Sequence, residues 1–323
     1  MTPPSIDNGE PIDLFSKSGS MRQRASLELS RTAAWFLACS TLLLVSYVLL
    51  QGYQGLNPSF ILSRATAGTG DGMFDVHTAG VFDMVVGTVL LVFLMTLIVM
   101  PLGVITGIYL NEFAPQHTWT TRVLRSAVNN LAGVPSIIFG LFGVGFFIYF
   151  IGGSIDKFVL FTTTPVWGQP ALLWAALTLA ILTLPVVVIS TEQALRAVPA
   201  GTRDAALAMG ATKVQMLTWI VLPQAGPGIL TGGILAVSRG AGEVAPIMFT
   251  GAAYYLAHLP NSLNSQFMEL GYHIYVLSTQ SPNIDKTRPL LFSTVVTLLL
   301  LTFLLNVLAI VARSWARRKQ RTD

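Results

Sequence analysis

Apolar residues in this chain are gathered into six long runs, with short polar segments between them. A helix that crosses the hydrocarbon core of a bilayer needs about 20 mostly apolar residues. The runs that meet this length are residues 33–52, 82–110, 127–151, 170–190, 226–250 and 290–312. The pattern therefore predicts an all-α integral membrane protein with six spanning helices.

Composition supports this class. The 323 residues are 53% hydrophobic and only 11% charged, whereas soluble domains carry about 25% charged residues. The net charge of +4 does not indicate nucleic acid, because the basic residues flank apolar runs, as they do in proteins oriented in a bilayer. The single cysteine, Cys39, lies inside an apolar run and excludes a disulfide or zinc framework.

The remaining segments suggest how the chain is organised. Residues 1–30 are polar and rich in Ser, Pro and Gly, which predicts a disordered cytoplasmic tail before a membrane domain at 31–323. The first apolar run starts too far into the chain for a signal peptide. In the second run, Pro101 and Gly103 are candidate break points.

Lysine and arginine are distributed unevenly between the two sides of this topology. The side that carries both termini and the loops after the second and fourth helices holds fourteen of them, and the opposite side holds four. The positive-inside rule assigns the richer side to the cytoplasm. We therefore expect a multi-pass membrane protein with both termini in the cytoplasm.

The longest cytoplasmic segment, residues 191–226, contains residues that typically start and end helices, and they predict two helices joined by a bend. Thr202 is a candidate cap for the first helix, and Asp204 would complement the dipole of its first turn. Gly210 suits the left-handed position that ends a helix. Thr212 would cap a second helix that runs to Pro223.

From Asp204 the segment has an acidic residue and two alanines, then glycine after three residues, then Ile-x-Leu-Pro after nine more. This form resembles the EAA loop of importer-type ABC permeases, which have the MetI-like fold and usually carry Glu in place of Asp. The resemblance implies that the loop docks in an ATP-hydrolysing subunit. The residues that carry this coupling would be Arg203, Asp204, Ala205, Ala206, Gly210, Ile220, Leu222 and Pro223. An amphipathic helix lying on the bilayer surface is the alternative.

Arg239 and Glu243 lie four residues apart within the fifth apolar run. On a helix this spacing places both side chains on one face, and a charge at membrane depth must face a partner or a water-filled cavity. One hypothesis is an ion pair that only locks two helices together. The other is an anion path, in which Arg239 offers a fixed fork to a tetrahedral oxyanion and nearby glycines allow close approach.

A second resemblance concerns substrate. The stretches SRGAGEVAPIMFTG from Ser238 and QFMELGYHIYVLSTQSP from Gln266 are similar to the A-type membrane subunit of the phosphate-specific ABC importer. The similarity runs from about Gly80 to the end, and Val244 replaces the family's usual Thr. It implies that Arg239 and Glu243 take part in phosphate passage. A match of GAGEVA to a dinucleotide-binding fingerprint has no meaning between apolar helical flanks.

Other polar positions have less definite interpretations. The stretch from Asn129 to Ser136 breaks the third helix, and its members Asn129, Asn130, Pro135 and Ser136 either line the path or relieve helix crowding. The four histidines are expected at surfaces or interfaces, with no metal site, and Asp71, Asp75 and Asp83 in a solvated outer linker.

Together with these features, the resemblances imply that the chain forms one half of a translocation pathway for inorganic phosphate in a bacterial inner membrane. The expected partners are a second homologous permease subunit, a dimer of ATP-binding subunits, an external phosphate-binding protein and the lipid bilayer. No glycine precedes a lysine, so the chain lacks a Walker phosphate loop. We expect it to be no enzyme and to bind no cofactor, since ATP and Mg belong to the partner. The alternatives are another oxyanion, such as molybdate, sulfate or phosphonate, and a secondary transporter with Glu243 as proton carrier.

Overall fold

A computed structural model describes residues 17–64, 80–115, 117–256, 258–281 and 283–322. These residues form α-helices and no named strand; Ala252 and Phe267 make an isolated bridge. The helices are α1 (Lys17–Gly52), α2 (Pro58–Leu62), α3 (Phe82–Ile108), α4 (Trp119–Ala132), α5 (Ser136–Phe142), α6 (Gly153–Phe158), α7 (Leu172–Arg196), α8 (Ala200–Ala208), α9 (Lys213–Met216), α10 (Leu222–Gly240), α11 (Ile247–Thr250), α12 (Leu270–Thr279) and α13 (Ile284–Thr322). Three π-helical stretches, Tyr109–Phe113, Gly143–Gly152 and Leu217–Val221, extend or join some of them.

Six helical segments are long and apolar enough to cross a membrane, which confirms the predicted fold class and the number of spans. They are Arg24–Gly52, Phe82–Phe113, Ser136–Phe158, Leu172–Arg196, Lys213–Gly240 and Ile284–Trp315. The second span is helical throughout, so the break considered at Pro101 and Gly103 does not occur. A membrane helix tolerates an internal proline where its neighbours satisfy the freed backbone groups.

The chain divides into two units, residues 1–50 and 51–323. In the first unit, α1 begins at Lys17, so the predicted disordered tail is wrong for residues 17–30, which are helical. The reason is local: from Met21 to Ser46 the sequence contains neither Gly nor Pro, and arginine, leucine and alanine favour helix. Residues 1–16 of the predicted tail lie outside the described residues.

In the second unit, α3, α7 and α10 pack closely because glycines face a neighbouring helix. A methyl group placed on Gly103 would lie 2.6 Å from Val187 Cγ1, and one on Gly107 would lie 2.7 Å from Thr191 Cβ. From the first contact to the second, the residue number rises by four on both helices, so α3 and α7 run side by side in the same direction. Small residues that let helix backbones approach are typical of membrane proteins.

The third apolar run is divided, as its sequence predicted, but the span begins later than residue 127. Helix α4 ends at Ala132, and α5 begins at Ser136 after Gly133 and Pro135. Proline has no backbone N–H and disfavours a helical conformation at the residue before it. The amphipathic α4 is therefore a separate element, and the third span is Ser136–Phe158.

Residues 250–268 cover the start of α7. Ala171 N–H donates to Thr250 O, Leu172 N–H donates to Ser265 O, and both bonds are 2.9 Å long. On the other side, Leu270 N–H donates to the Thr88 hydroxyl on α3. These bonds place the chain that follows α10 across the same end of both α3 and α7, so α10 must run antiparallel to them.

Candidate functional site

The charged pair in the fifth span lies at the end of α10. Arg239 is in its last turn, and Glu243 follows in a turn beyond Gly240. Arg239 Nε and Glu243 Oε1 are 3.3 Å apart, with 42% of the arginine side chain and 19% of the glutamate side chain exposed. The sequence prediction that the two side chains meet is confirmed.

Their placement in the middle of a helix over 226–250 is wrong. Helix α10 stops at Gly240, and the chain turns before the short α11. Gly240 and Gly242 are poor helix formers, and Pro246 contributes no N–H. The side chains still meet because the turn keeps the two residues close together in space. Gly242 N–H donates to Arg239 O, and Glu243 N–H donates to Gly240 O. A cation at a helix C-terminus is also favoured by the helix dipole.

The pair lies at membrane depth. Gly240 faces Met95 of α3 directly, with no room for a Cβ atom between them. At about 1.5 Å per residue, Met95 is about 20 Å along the helix from Phe82 and about 27 Å from Phe113. The hydrocarbon core is about 30 Å thick, so Met95 and the neighbouring Arg239 lie inside it. An arginine that remains 42% exposed there must face water or another protein surface.

Glycines in α10 allow close approach of neighbouring helices near this pair, as the sequence predicted. Gly232 faces Ser190 and Gly233 faces Met100, and a methyl group at either position would lie within 3 Å of the neighbour. Gly240 faces Met95. Gly242 does not share this role, because a methyl group placed on it would lie 4.0 Å from Arg239 O in its own turn and would contact no other helix.

The first helix of the 191–226 loop begins earlier than predicted. Helix α8 starts at Ala200 after Pro199, so Thr202 lies inside it and does not cap it. Pro199 takes the capping position, with φ −58° and no N–H to satisfy. Asp204 is consequently one turn further in, and the first turn of α8 contains no acidic residue.

The bend that follows agrees with the prediction. Gly210 has φ +86°, the left-handed conformation that ends a helix. Thr212 accepts a hydrogen bond from Gln215 N–H, and the Gln215 side chain accepts one from Thr212 N–H, forming a capping box. Two short helices therefore meet at a sharp corner.

The second helix was predicted to run to Pro223, but it continues without interruption as the fifth span, Lys213–Gly240. A π-helical turn at Leu217–Val221 ends two residues before Pro223. Such a turn shifts the backbone hydrogen-bonding pattern locally, and it accommodates a proline that cannot donate. The helix that leaves the corner therefore continues directly into the membrane span.

The motif residues of this loop divide between an inner and an outer face. Ala206 is buried among Leu195, Met216 and Leu217, and Ile220 and Leu222 pack against the same cluster. Asp204 and Ala205 are exposed, beside Met209, whose surface is 88% exposed. One face therefore holds the loop to the protein, and the other is free to contact a partner.

Sequence reasoning missed what holds α8 in place. Arg203 Nη1 donates to Glu112 Oε1 over 2.5 Å, and Arg203 Nη2 donates to Leu195 O over 2.6 Å. Lys213 Nζ donates to Glu112 O and lies 4.9 Å from the centre of the Phe113 ring. The only signal in the sequence was the position of Glu112, the first acidic residue after a long apolar run.

The predicted path-lining residues are not brought together with Arg239. Asn129 lines a cavity near the end of α7, together with Arg125, Glu192 and Arg196. Asn130 and Pro135 are exposed, and Ser136 is half-buried at the start of α5. One turn later, Gly140 packs against Pro246, so α5 does reach the turn that follows Glu243.

Two buried titratable groups were assigned to the surface or overlooked. His273 is 7% exposed, so the expected surface or interface position is wrong for it, although His117 and His258 are exposed. Glu269 is 2% exposed and accepts hydrogen bonds from Gly271 N–H and Tyr272 N–H at the start of α12. Burial raises the pKa of Glu269 to about 7 and lowers the pKa of His273 to about 4.

The predicted outer linker is described only in part. Asp83 is in the first turn of α3 and is 4% exposed, so its assignment to a solvated linker is wrong. An acidic residue there is favoured by the helix dipole. Asp71, Asp75 and His77 lie outside the described residues.

The six apolar helices, the Arg239–Glu243 pair at membrane depth and the exposed two-helix loop define a multi-pass membrane protein. The chain belongs to the binding-protein-dependent transport system inner membrane component family, whose model matches residues 100–322. Members of this family are permease subunits and not enzymes. The family and the six apolar helices place this chain among multi-pass proteins of the inner membrane.

Several curated proteins are similar in sequence. A probable ABC transporter permease protein, YqgI of Bacillus subtilis, is 32% identical over 64% of this chain and 63% of its own length. Phosphate transport system permease protein PstA of Yersinia pestis is 37% identical over 53% of this chain and 52% of its own. PstA of Pasteurella multocida is 32% identical over 71% of this chain and 74% of its own. The chain thus spans about half to three quarters of these relatives.

Two solved structures share the fold. A chain of the MetNI methionine ABC transporter, in inward-facing conformations, has a TM-score of 0.51 and 20% identity, covering 73% of this chain and 94% of its own. A chain of a bacterial alginate ABC transporter has a TM-score of 0.59 and 15% identity, covering 91% of this chain and 94% of its own. The likeness confirms the predicted importer-type permease architecture.

Proposed function

We propose that this subunit forms half of the translocation pathway for inorganic phosphate in an ATP-driven importer. The observation that carries the proposal is the Arg239–Glu243 pair, a fixed cation at membrane depth that is partly exposed and held by one carboxylate. A guanidinium presents its donors as a planar fork that matches tetrahedral oxyanions. The names of the PstA relatives support phosphate as the anion.

The exposed guanidinium also supports a second permease subunit. Contact of this guanidinium with lipid would be unfavourable, since insertion scales give a cost of about 2.5–3.5 kcal/mol for an arginine at the centre of a membrane helix. A related subunit facing this surface would enclose a hydrated passage between the two. In the empty passage Glu243 holds the fork in place. When phosphate arrives, its oxygens take over donors of Arg239 and Glu243 accepts from a protonated phosphate oxygen.

Energy would enter through the 191–226 loop. We assign the exposed face of α8, with Asp204, Ala205 and Met209, to contact with an ATP-binding subunit on the cytoplasmic side. Closure of the ATPase dimer would push α8, and the continuous helix from Lys213 to Gly240 would transmit the movement to Arg239. ATP and Mg would be bound by that partner, and this subunit would bind no cofactor. An external phosphate-binding protein would deliver the substrate to the opposite side, and both termini would be cytoplasmic.

The test is phosphate uptake by proteoliposomes that contain the whole transporter. Arg239→Gln should lower the uptake rate at least about tenfold, or about 1.4 kcal/mol of barrier, with assembly intact. Arg239→Lys should retain part of the rate, since it keeps the charge but loses the fork. Arg288→Gln, an exposed arginine at the start of α13, is the matched control and should be unchanged.

Uptake by Arg239→Gln at the wild-type rate would end the anion-path proposal. Stronger competition by molybdate, sulfate or phosphonate than by unlabelled phosphate would reassign the substrate to that oxyanion. Loss of uptake on adding an uncoupler while ATP is maintained would instead favour a proton-coupled transporter.

A further inference from the structure

A cavity lined by charged residues lies at the end of α7, opposite to the residues that cover its start. It has a volume of about 290 Å³ and is lined by Arg125, Asn129, Glu192, Gln193 and Arg196, with aliphatic side chains completing the wall. Pockets for small molecules begin at about 300 Å³, so this cavity suits a small ion. Its polar lining is contributed by α4 and α7.

The cavity is separate from the Arg239 site. Because α3 and α7 run in register through Gly103–Val187 and Gly107–Thr191, Met95 is level with a residue close to Leu179. Glu192 lies about 20 Å further along α7, at about 1.5 Å per residue. The same end of α7 is followed directly by α8, so the cavity opens on the side of the 191–226 loop.

Two arginines share one carboxylate in this cavity. Arg196 Nη2 is 2.8 Å from Glu192 Oε2, and Arg125 Nε is 3.7 Å from Glu192 Oε1. The three side chains therefore leave one positive charge uncompensated within the cluster. Only 14% of the Glu192 side chain is exposed, so its charge is held between the two helices.

The donors of Arg125 are not all used. Its Nη2 donates to Leu110 O over 3.0 Å, but its buried Nε has no hydrogen-bond partner among the described residues. A guanidinium offers five N–H donors, and a buried donor left without an acceptor is unfavourable. Asn129 and Gln193 add amide groups to the same wall. The arrangement has donors and positive charge in excess of acceptors.

We infer that this cavity is a second binding site for a phosphate-type oxyanion, between Arg125 and Arg196 at the loop side of the membrane. The inference rests on the proposed function for the identity of the anion. Glu192 acts as a stand-in acceptor that the oxyanion displaces, because both compete for the same guanidinium donors. A site there would hold phosphate that has left the Arg239 region, or phosphate that enters from the cytoplasm.

The chain offers a direct probe, because Cys39 is its only cysteine. In a Cys39→Ser background, Asn129→Cys places one thiol in the cavity wall. Ser126→Cys is the matched control, since Ser126 is exposed on the same helix and does not line the cavity. The rate at which a membrane-impermeant thiol reagent modifies this subunit is followed by intact mass in the purified complete transporter in maltoside detergent.

Inorganic phosphate should slow modification of the Asn129→Cys thiol, by about twofold when its concentration equals the dissociation constant. It should leave the Ser126→Cys thiol unaffected. Arg125→Gln with Arg196→Gln should abolish the protection. Glu192→Gln should lower the phosphate concentration needed for it severalfold, because the competing carboxylate is gone. If Glu192 only stabilised the structure, phosphate would instead protect the thiol less well in that variant.

Absence of protection by phosphate would overturn the inference, as would equal protection by chloride at the same ionic strength. The thiol could instead be modified slowly in phosphatidylglycerol nanodiscs without added phosphate, and fast in detergent. That result would support an oxyanion site and identify its ligand as a lipid headgroup. The readout needs no transport. Protection that persists in Arg239→Gln supports a separate site whatever that variant does to uptake, and its loss there would overturn it.

Discussion

Arg203 donates a hydrogen bond of 2.5 Å to Glu112, and this contact joins helix α8 of the loop to the end of the second membrane span. The glutamate side chain is only 5% exposed and the arginine side chain 19%. A charge-assisted hydrogen bond in such surroundings contributes about 1.5–3 kcal/mol. A push on α8 would therefore reach α3 through this pair as well as the fifth span through the backbone.

Removing the charge of Glu112 should separate ATP turnover from transport. Glu112→Gln leaves Arg203 buried without its anion, and we expect phosphate uptake per ATP hydrolysed to fall about tenfold, or about 1.4 kcal/mol. The measurement is paired uptake and ATP turnover by the reconstituted transporter. Glu28→Gln is the control, because Glu28 pairs with Arg31 with both side chains about 70% exposed, and such pairs contribute little.

Whether the two residues act as one unit can be measured with a double variant. Glu112→Gln combined with Arg203→Gln should cost no more than the worse single change, because the interaction has already been lost. Losses that simply add would show that each residue acts alone.

The corner of the loop should tolerate no side chain at Gly210. A Cβ atom there would meet nothing within 4 Å, yet φ is +86°, so only the backbone conformation opposes substitution. Gly210→Val should destabilise the corner by about 1–3 kcal/mol and weaken co-purification with the ATP-binding subunit.

Gly201 provides the matched control for that change. It too has open space around its Cβ position, but it lies within α8. Gly201→Ala should therefore be neutral or stabilise by up to about 1 kcal/mol. Equal losses of ATPase binding in Gly201→Ala and Gly210→Val would contradict the backbone explanation.

The two glycines also show what the sequence alone could and could not establish. Gly210 was assignable because a helix end followed by Thr212 and Gln215 is a local pattern with a local physical cause. The hydrophobic runs likewise predicted all six spans, since burial in lipid depends on the segment itself. Glu112, Glu192 and Glu269 were not found, because their importance arises from Arg203, 91 residues away, from Arg125 on another helix, and from burial by distant segments, respectively. The end of α10 at Gly240 was missed because glycine is common inside membrane helices.

Close packing of α10 against α7 predicts sensitivity at Gly232. A methyl group there would lie 2.6 Å from Ser190 Cβ, so Gly232→Ala must move one helix away from the other. Overpacking of this kind costs about 1–3 kcal/mol, and we expect a lower thermal midpoint and slower uptake. Gly145→Ala, where nothing lies within 4 Å, is the control, and an equal effect at both positions would contradict the packing argument.

Glu269 and His273 should give the stability of the protein opposite dependences on pH. The pKa of Glu269 is raised to about 7 from an ordinary value of 4.5, so the folded state binds its proton more tightly, and stability is lost as pH rises from about 4.5 to 7. The pKa of His273 is lowered to about 4 from 6.5, so stability is gained as pH rises through the interval up to 6.5. In the wild type the two effects largely oppose each other.

Replacing either residue should therefore reveal the pH dependence of stability that the other residue produces. Thermal unfolding of the purified transporter between pH 5 and 7 should give a midpoint that rises with pH in Glu269→Gln and falls with pH in His273→Gln. The slope is the informative quantity, because Glu269→Gln also loses an acceptor for Gly271 N–H or Tyr272 N–H and so lowers the midpoint at every pH. Parallel slopes in the two variants would show that neither group titrates in this range, which would contradict their burial as the cause of the pKa shifts.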